Sequence, residues 1–387
     1  MGEGIKMANN KYGVLLLGGY RTHQENYALM FAADPRCQLI ACSDELDAPT
    51  DRVELNMQLA DELNLPYITD LDQALALTDV NIVSLCVEME RRGIIGKKCA
   101  QAGKHLYLDK PLALTVTDAE LIVQAVQSSG VTSQMFSNVY CPWAQLAKKA
   151  IESGEIGQLR AMHCDVVFAK GHPGTAPVGR KRQEQSSRDK YTFIQAKPEM
   201  FDIGVYAVSI INWLSNKAVK TVSGVTANYF FEEHSECNIE DFGVLMMSME
   251  DDITATITGG RMGWMSHPKG GIQRLYLVGT QKTMVFDPYQ SRLQICADET
   301  PFQSPDPHPR DPMGMWKHTQ DEVELLPKQS WIPTGDESWQ NREFSAFIDA
   351  VEAGKEGEMH AALAAQSIAV ITAGYQSAAS GRTISID

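Results

Sequence analysis

The sequence predicts an α/β protein of two domains, a doubly wound parallel sheet followed by an α+β domain with mostly antiparallel strands. The 387 residues are too many for one ordinary core, since a domain commonly holds about 100–200 residues. Up to about residue 137, short apolar runs alternate with helical patterns, which is typical of parallel βαβ units. Beyond that point, strands follow one another through short loops, which favours antiparallel pairing.

The first domain is predicted over residues 11–137, after a flexible, polar leader at residues 1–10. Its strands are continuous apolar runs, as expected of strands that are buried on both faces. They are predicted at Tyr12–Leu17, Cys37–Cys42, Tyr67–Ile68, Ile82–Val87, His105–Leu108 and Thr132–Phe136. The helices between them are predicted at Tyr27–Ala33, Val53–Leu63, Asp72–Leu77, Gly93–Ala102 and Thr117–Ser128.

The second domain is predicted over residues 138–387. Helices are expected at Pro142–Ser153, Met200–Leu214, Asn341–Ala353 and Ala361–Ser380. Strands are expected at Ala161–Ala169, Thr221–Tyr229, Phe242–Glu250, Asp252–Gly259, Arg274–Gly279 and Lys282–Asp287. Residues 171–190 and 298–316 are predicted loops. The first of them is basic and could close over an acidic substrate, although a solvated loop is the simpler interpretation.

Composition excludes several classes of protein. Hydrophobic residues make up 44% and charged residues 21%, so the chain is not mainly disordered. A net charge of −15 disfavours nucleic acid as a partner. No apolar run approaches the ~20 residues that cross a bilayer, which speaks against a membrane protein. Eight cysteines without a C-x-x-C pair indicate a reduced, cytoplasmic protein rather than a disulfide scaffold.

A glycine turn follows the first strand, where dinucleotide-binding folds hold a diphosphate at a helix N-terminus. Gly18 and Gly19 would let backbone amides approach the phosphates, with Tyr20 and Arg21 completing the turn. Arg21 could contact phosphate directly. The match to G-x-G-x-x-G is poor, because Tyr20 and His23 stand at later glycine positions. A Gly-Gly turn that binds nothing therefore remains an alternative.

Two more candidates lie at the carboxyl ends of predicted strands, the edge where such sheets bind ligands. Asp44 closes the second strand, and an acid there accepts hydrogen bonds from ribose hydroxyls and favours NAD over NADP. Capping of the next segment is the alternative role. Lys110, in Asp109-Lys110-Pro111, could hold a substrate hydroxyl or could be a solvated lysine in a turn.

Four segments carry a family resemblance. Ala102–Ala113, AGKHLYLDKPLA, is similar to the AGKHV-x-x-EKPLA segment of the glucose–fructose oxidoreductase, inositol dehydrogenase and rhizopine-catabolism (GFO/IDH/MocA) family. Ala150–Gly157, Asp202–Tyr206 and Tyr375–Arg382 resemble later motifs of that family in the expected order. The resemblance covers essentially residues 11–387.

The resemblance implies a Rossmann NAD(P)-binding domain and a second domain with a large open sheet. That sheet usually forms the oligomer interface, so a homodimer or homotetramer is expected. Family substrates are commonly sugars, sugar derivatives, inositols or related diols.

The resemblance also assigns catalysis to Lys110, Asp202 and Tyr206. Asp202 and Tyr206 are four residues apart and therefore share a helix face. An adjacent lysine is expected to lower the tyrosine pKa from its ordinary ~10 and to help it move a proton. The simpler alternatives are a core tyrosine and a helix-capping aspartate.

The chain departs from the family pattern at several positions. Arg92 stands where the family has a histidine near the nicotinamide, Asp109 replaces a glutamate, and Tyr140 replaces an arginine. Glu88 and Asp109 are predicted to contact the cofactor. Tyr140 and His172 are predicted to contact substrate. No metal site is predicted, because no His/Cys/Asp/Glu cluster has metal-ligand spacing.

The leading hypothesis is an oxidoreductase that uses NAD, with NADP possible, on a sugar-like alcohol or its ketone. One alternative is a non-catalytic relative that binds a nucleotide or sugar and acts as a regulator. Another is an enzyme that shuttles hydride between two sugars through a tightly held cofactor.

Overall fold

Two β-sheets organise the protein. The structure, a computed structural model, describes residues 11–20, 23–169, 198–229, 232–262, 271–287, 292–297, 328–333 and 339–386. The predicted leader, both predicted loops, and the candidates Arg21 and His172 lie outside the described residues.

The first sheet is parallel throughout, as predicted. Its strands are β1 (Tyr12–Leu17), β2 (Cys37–Ser43), β3 (Tyr67–Ile68), β4 (Val80–Leu85), β5 (His105–Leu108) and β6 (Ser133–Met135). Their order is β3-β2-β1-β4-β5-β6. The winding direction reverses between β1 and β4, and doubly wound sheets bind their ligands beyond the carboxyl ends of the strands at such a point.

Five helices cover this sheet: α1 (Gln24–Ala33), α2 (Thr50–Leu63), α3 (Leu71–Ala76), α4 (Met89–Gln101) and α5 (Val116–Ser129). Local sequence explains their ends. The Thr115 side chain caps α5 by accepting a hydrogen bond from the Asp118 amide at 3.0 Å, which satisfies an orphan donor of the first turn. The same helix stops at Gly130, which adopts the left-handed conformation common at helix ends.

The second domain is built on a nine-stranded mixed sheet. Its elements are α6 (Pro142–Glu152), β7 (Leu159–Ala169), a π-helical turn (Met200–Gly204), α7 (Val205–Ser215), β8 (Val219–Ala227), α8 (Glu232–Glu236), β9 (Phe242–Met249), β10 (Thr254–Met262), β11 (Gly271–Gly279), β12 (Thr283–Asp287), β13 (Arg292–Ala297), β14 (Lys328–Pro333), α9 (Trp339–Ala353), α10 (Ala361–Ser380) and β15 (Ile384–Ser385). The strand order is β14-β13-β12-β11-β7-β10-β9-β8-β15.

Most neighbouring strands of this sheet are antiparallel, as predicted, but β7 and β10 pair in parallel. The predicted single helix over Met200–Leu214 is in fact the π-helical turn followed by α7. Gly259 of β10 allows that turn to lie directly on the sheet, since a Cβ there would be 2.6 Å from the Gly204 Cα. This close approach brings Asp202 beside β10.

Helices α7 and α10 pack on one face of the second sheet and share a core with it. Helix α9 instead returns to the first domain. There the Phe344 ring lies edge-on to Phe31, with ring centroids 4.8 Å apart, and Arg36 pairs with Asp349 at 2.6 Å. A late segment of the chain thus completes the core around α1.

In the described part of the chain, no helix combines the length and apolar character needed to cross a membrane. The cysteines Cys37, Cys42, Cys86, Cys99, Cys141, Cys164 and Cys237 are free thiols.

Candidate functional site

The glycine turn has a backbone that suits a dinucleotide. Gly18 and Gly19 have φ values of +72° and +109°, which side-chain-bearing residues rarely adopt. A Cβ at Gly18 would also lie 2.6 Å from the Val87 side chain, so the turn packs tightly against the segment after β4. Helix α1 begins shortly afterwards, and its N-cap His23 makes no side-chain cap. The turn and the helix start together fit the diphosphate of NAD.

Tyr20 and Glu88 lie together beside this turn. Burial, with the neighbouring Glu88 and Asp51, raises the pKa of the half-buried Tyr20 above its ordinary value. Glu88 is buried and forms an ion pair with Arg52 of α2. The structure therefore brings both predicted cofactor contacts to the carboxyl edge of the sheet.

Asp44 ends β2 as predicted, but its carboxylate is already engaged within the protein. It pairs with the Arg52 Nε at 2.9 Å and accepts from the Tyr67 hydroxyl at 2.9 Å and from the Asn56 amide at 3.1 Å. Burial raises the pKa of Asp44 to about 6, although Arg52 opposes that shift. Hydrogen bonding to a ribose would have to compete with these partners.

The surroundings of Arg52 carry excess negative charge. This fully buried guanidinium pairs with Asp44, with Glu45 at 2.5 Å, and with Glu88. Arg91 also pairs with Glu45, at 2.5 Å, so three carboxylates face two cations where β2 and β4 end. Such a cluster would repel an additional phosphate on the ribose.

Lys110 and Asp202 join the two domains at the cleft. The Lys110 Nζ donates to the Asp202 backbone oxygen at 2.6 Å and pairs with its Oδ1 at 2.9 Å. The same ammonium lies 5.0 Å from the centre of the Tyr206 ring, a cation–π distance. The structure therefore brings together all three residues that the resemblance assigns to catalysis.

The expectation that Lys110 lowers the pKa of Tyr206 was wrong. Burial, followed by the negative charges of Asp109 and Asp202, raises the pKa of Tyr206 well above its ordinary value. The ammonium lies over the ring face, where it contacts π electrons. Tyr206 is therefore a neutral phenol at neutral pH.

Sequence reasoning missed the residues behind Asp202. Arg261, on β10, donates from Nη2 to the Asp202 Oδ2 at 2.8 Å and from Nε to Glu199 at 3.0 Å. Glu199 is fully buried and also contacts His234, at 3.1 Å. The available signal was a charged residue, Arg261, near the end of a strand that carries no other charge.

The Asp109 carboxylate also contacts several polar and charged side chains. Its Oδ1 accepts from the Tyr27 hydroxyl and contacts the His23 Nδ1, each at 2.8 Å. Its Oδ2 pairs with the Arg92 Nη2 at 3.2 Å. The peptide bond between Lys110 and Pro111 is cis.

Tyr140 lies in the turn before α6 and packs against the core. Burial, with Glu358 and Glu343 nearby, raises the pKa of Tyr140 above its ordinary value. Among the described residues, no group of three or more His, Cys, Asp or Glu is arranged to hold a metal ion.

Two family models match successive parts of the chain. Residues 12–137 match the family model for an oxidoreductase family with an NAD-binding Rossmann fold. Residues 144–285 match the model for the GFO/IDH/MocA C-terminal domain.

Individual relatives are distant. An uncharacterized oxidoreductase, YhhX, of Escherichia coli is 31% identical over 97 residues, 25% of this chain and 28% of that protein. The scyllo-inositol 2-dehydrogenase (NAD(+)) of Bacillus subtilis is 22% identical over 273 residues, 70% of each chain. The matches to the first three curated relatives span 28%, 62% and 38% of their lengths, less than two thirds of each.

Solved structures share the fold. An oxidoreductase domain protein from Kribbella flavida superposes with a TM-score of 0.75 at 19% identity, covering 98% of this chain and 100% of that one. Levoglucosan dehydrogenase in complex with NADH and levoglucosan gives 0.74 at 18% identity, covering 97% and 99%. With both family models matched in order, the chain belongs to the GFO/IDH/MocA oxidoreductase family, and residues 12–137 are its NAD-binding Rossmann domain.

Proposed function

We propose that the protein is an NAD-dependent oxidoreductase that transfers hydride between the nicotinamide and a secondary alcohol or ketone. The substrate would be a sugar, an inositol or a related polyol. The observation that carries the proposal is the Lys110–Asp202 ion pair beside Tyr206, in a chain of this oxidoreductase family. Relatives named inositol 2-dehydrogenase and levoglucosan dehydrogenase support the substrate class.

The contacts limit what each residue can do. Asp202 has Lys110 on one carboxylate oxygen and Arg261 on the other, so it serves as a fixed anion rather than as a base. Among the described residues, Lys110 uses two of its three N–H groups on Asp202. The third can hold the reacting oxygen of the substrate.

Tyr206 would supply and remove the proton. As a neutral phenol it can donate to the carbonyl oxygen while the ketone is reduced. In the oxidising direction the phenol must first release its own proton to solvent, and the resulting phenolate then accepts the hydroxyl proton of the substrate. NAD, when bound, supplies the hydride acceptor. The residues that would hold it are Gly18, Gly19, Tyr20, Glu88 and Asp109. Arg21, the other residue predicted in the turn, lies outside the described residues.

The buried acids favour NAD over NADP in this proposal. A 2′-phosphate would face Asp44, Glu45 and Glu88, whose charges Arg52 and Arg91 offset only in part. The free thiols of the described cysteines suit a reduced, cytoplasmic setting.

Tyr206→Phe tests the catalytic assignment, because it removes only the hydroxyl. We expect turnover to fall by about 10²–10⁴-fold, the usual worth of a positioned acid–base group. The Kd of NADH should stay within about twofold, since phenylalanine keeps the ring beside Lys110. The measurement is NADH absorbance with a panel of inositols and sugars, and Tyr276→Phe on the second sheet is the control. Undiminished turnover would remove Tyr206 from the site.

A second candidate is a non-catalytic relative that binds a nucleotide or sugar as a regulator. Tyr20 and His23 at glycine positions favour it. Fluorescence titration with NADH and NADPH separates the two candidates. A protein that binds neither NADH nor NADPH would contradict the proposal that it is an oxidoreductase. Nicotinamide released on denaturation would indicate instead a tightly held cofactor that shuttles hydride between two sugars.

A further inference from the structure

Three departures from the family pattern meet at one carboxylate, that of Asp109. His23 stands at a glycine position, Arg92 at a histidine position, and Asp109 itself at a glutamate position. The His23 Nδ1 lies 2.8 Å from the Asp109 Oδ1, and the Arg92 Nη2 lies 3.2 Å from Oδ2. The three changes are therefore one structural unit rather than separate losses.

The Asp109 carboxylate fixes which nitrogen of His23 carries a proton. Burial acts to raise the pKa of Asp109, but His23, Arg92 and Lys110 outweigh it and hold that pKa well below its usual range. Asp109 is therefore ionised and accepts from its partners. The His23 Nδ1 must donate to it, which leaves Nε2 as the nitrogen that can meet a ligand.

His23 is also in the right place for a ligand. It is the N-cap of α1, directly after the glycine turn, and 33% of its side chain is exposed. The centroid of its ring lies 6.5 Å from that of Phe136, and the Phe136 centroid lies 6.4 Å from that of Tyr206. His23 thus lies between the turn and the catalytic pair.

We propose that His23, held by Asp109, is a cationic binding residue for the diphosphate bridge of the dinucleotide, in place of the third glycine. The inference rests on the proposed function. A phosphate oxygen can accept from Nε2 only when the imidazole is protonated on both nitrogens. Binding is therefore linked to the second proton of the imidazole: wherever the free protein lacks that proton, binding takes one up and affinity falls as the pH rises. A glycine could produce no such linkage.

The surroundings of His23 contain both signs of charge. Asp109 faces it from the end of β5 and Tyr27 from the next turn of α1, while Phe136 covers it from the end of β6. Arg92 and Lys110 act on it through Asp109, and Glu25 follows in the first turn of α1. Of these groups, Asp109 is the one paired directly with the imidazole.

Calorimetric titration with ADP-ribose tests the proposal without catalysis. Measurements at pH 6, 7 and 8, each in two buffers of different ionisation enthalpy, give the affinity and the protons taken up. We expect affinity to fall about tenfold from pH 6 to pH 8, with net proton uptake over the part of that range in which affinity falls. His23→Gln should abolish both the pH dependence and the uptake, and its affinity should match the wild type at pH 8.

His163→Gln, on the second sheet, is the matched control and should keep the wild-type linkage. Asp109→Asn should reduce proton uptake, because the imidazolium loses its partner. The wild-type titration stands even if a variant fails to fold. Binding of ADP-ribose without proton uptake would overturn the role of His23 and leave the oxidoreductase intact. Absence of binding of both ADP-ribose and NADH at every pH would overturn both.

Discussion

Asp202 forms an ion pair with one cationic residue from each domain. Lys110 reaches it from the end of β5, and Arg261 reaches it from β10. Arginine does not release a proton in proteins, so the Asp202–Arg261–Glu199 chain cannot conduct one. Its role is to hold the carboxylate at a fixed angle to Lys110, which makes Arg261 a positioning residue.

Arg261→Gln should therefore lower kcat by about 10–100-fold, since small displacements of a positioned group are costly. The Kd of NADH should change less than about twofold, because the Rossmann turn is untouched. The acidic limb of the kcat–pH profile should also move to higher pH, since a carboxylate that loses a cationic partner is protonated more readily. Steady-state kinetics against pH and NADH titration are the measurements.

The controls for this prediction distinguish a misplaced Asp202 carboxylate from a destabilised fold. Removing one partner of a buried pair costs about 3–5 kcal/mol, so thermal melting must accompany the kinetics. Arg261→Lys keeps the charge but cannot reach both carboxylates, and it should restore stability more than kcat. Arg160→Gln, an exposed arginine of β7, should change neither. A melting shift with an unchanged kcat and pH profile would leave Arg261 a merely structural residue.

At the scale of single residues, motifs predicted that three particular side chains belong to one site, but not the electrostatics of that site. Lys110, Asp202 and Tyr206 come from recognisable segments, and the structure brings them together. Arg261 and Glu199 come from strands and turns far apart in sequence, so no spacing could reveal them. The predicted pKa of Tyr206 had the wrong sign because sequence cannot say whether a lysine meets the hydroxyl or the ring face.

Elements with strong local signals were predicted almost to the residue. The bounds of β1, β5 and α10 agree with the prediction, because apolar runs, turn glycines and helix caps are local features. The parallel pairing of β7 and β10 was not predictable, because short loops constrain only consecutive strands. Strands β13 and β14 were not predicted from the sequence.

Helix α9 offers an element-scale prediction, because its apolar face completes the first domain. Phe344 is fully buried against Phe31 and Tyr107, with ring centroids 4.8 Å and 4.3 Å away. Phe344→Ala should lower the free energy of unfolding by about 3–5 kcal/mol. Denaturant unfolding measures it, with the exposed Asn341→Ala as control. Equal stability of the two variants would mean that α9 is not part of this core.

At the scale of the whole molecule, the described residues cover one face of the second sheet with helices and leave the other face open. Helices α7 and α10 bury the inner side chains of β9. Side chains on the other face include Met246 of β9, which is 54% exposed, and Val225 of β8, which is 65% exposed. Strand pairing aligns Met246 in a row with Thr256, His163 and Tyr276 across four strands. A broad face with exposed apolar side chains is typical of an interface.

Met246→Lys tests whether this open face joins copies of the chain, as the family resemblance led us to expect. In a homodimer or homotetramer it would place an ammonium in a desolvated interface, which is costly unless the charge is paired. We expect the variant to shift toward monomer in analytical ultracentrifugation while its far-UV spectrum stays unchanged. Leu29→Lys, at an apolar residue of α1 that is 62% exposed, should keep the wild-type mass. A wild-type chain that sediments as a monomer, or a variant that assembles as before, would mean that the open sheet serves some other partner.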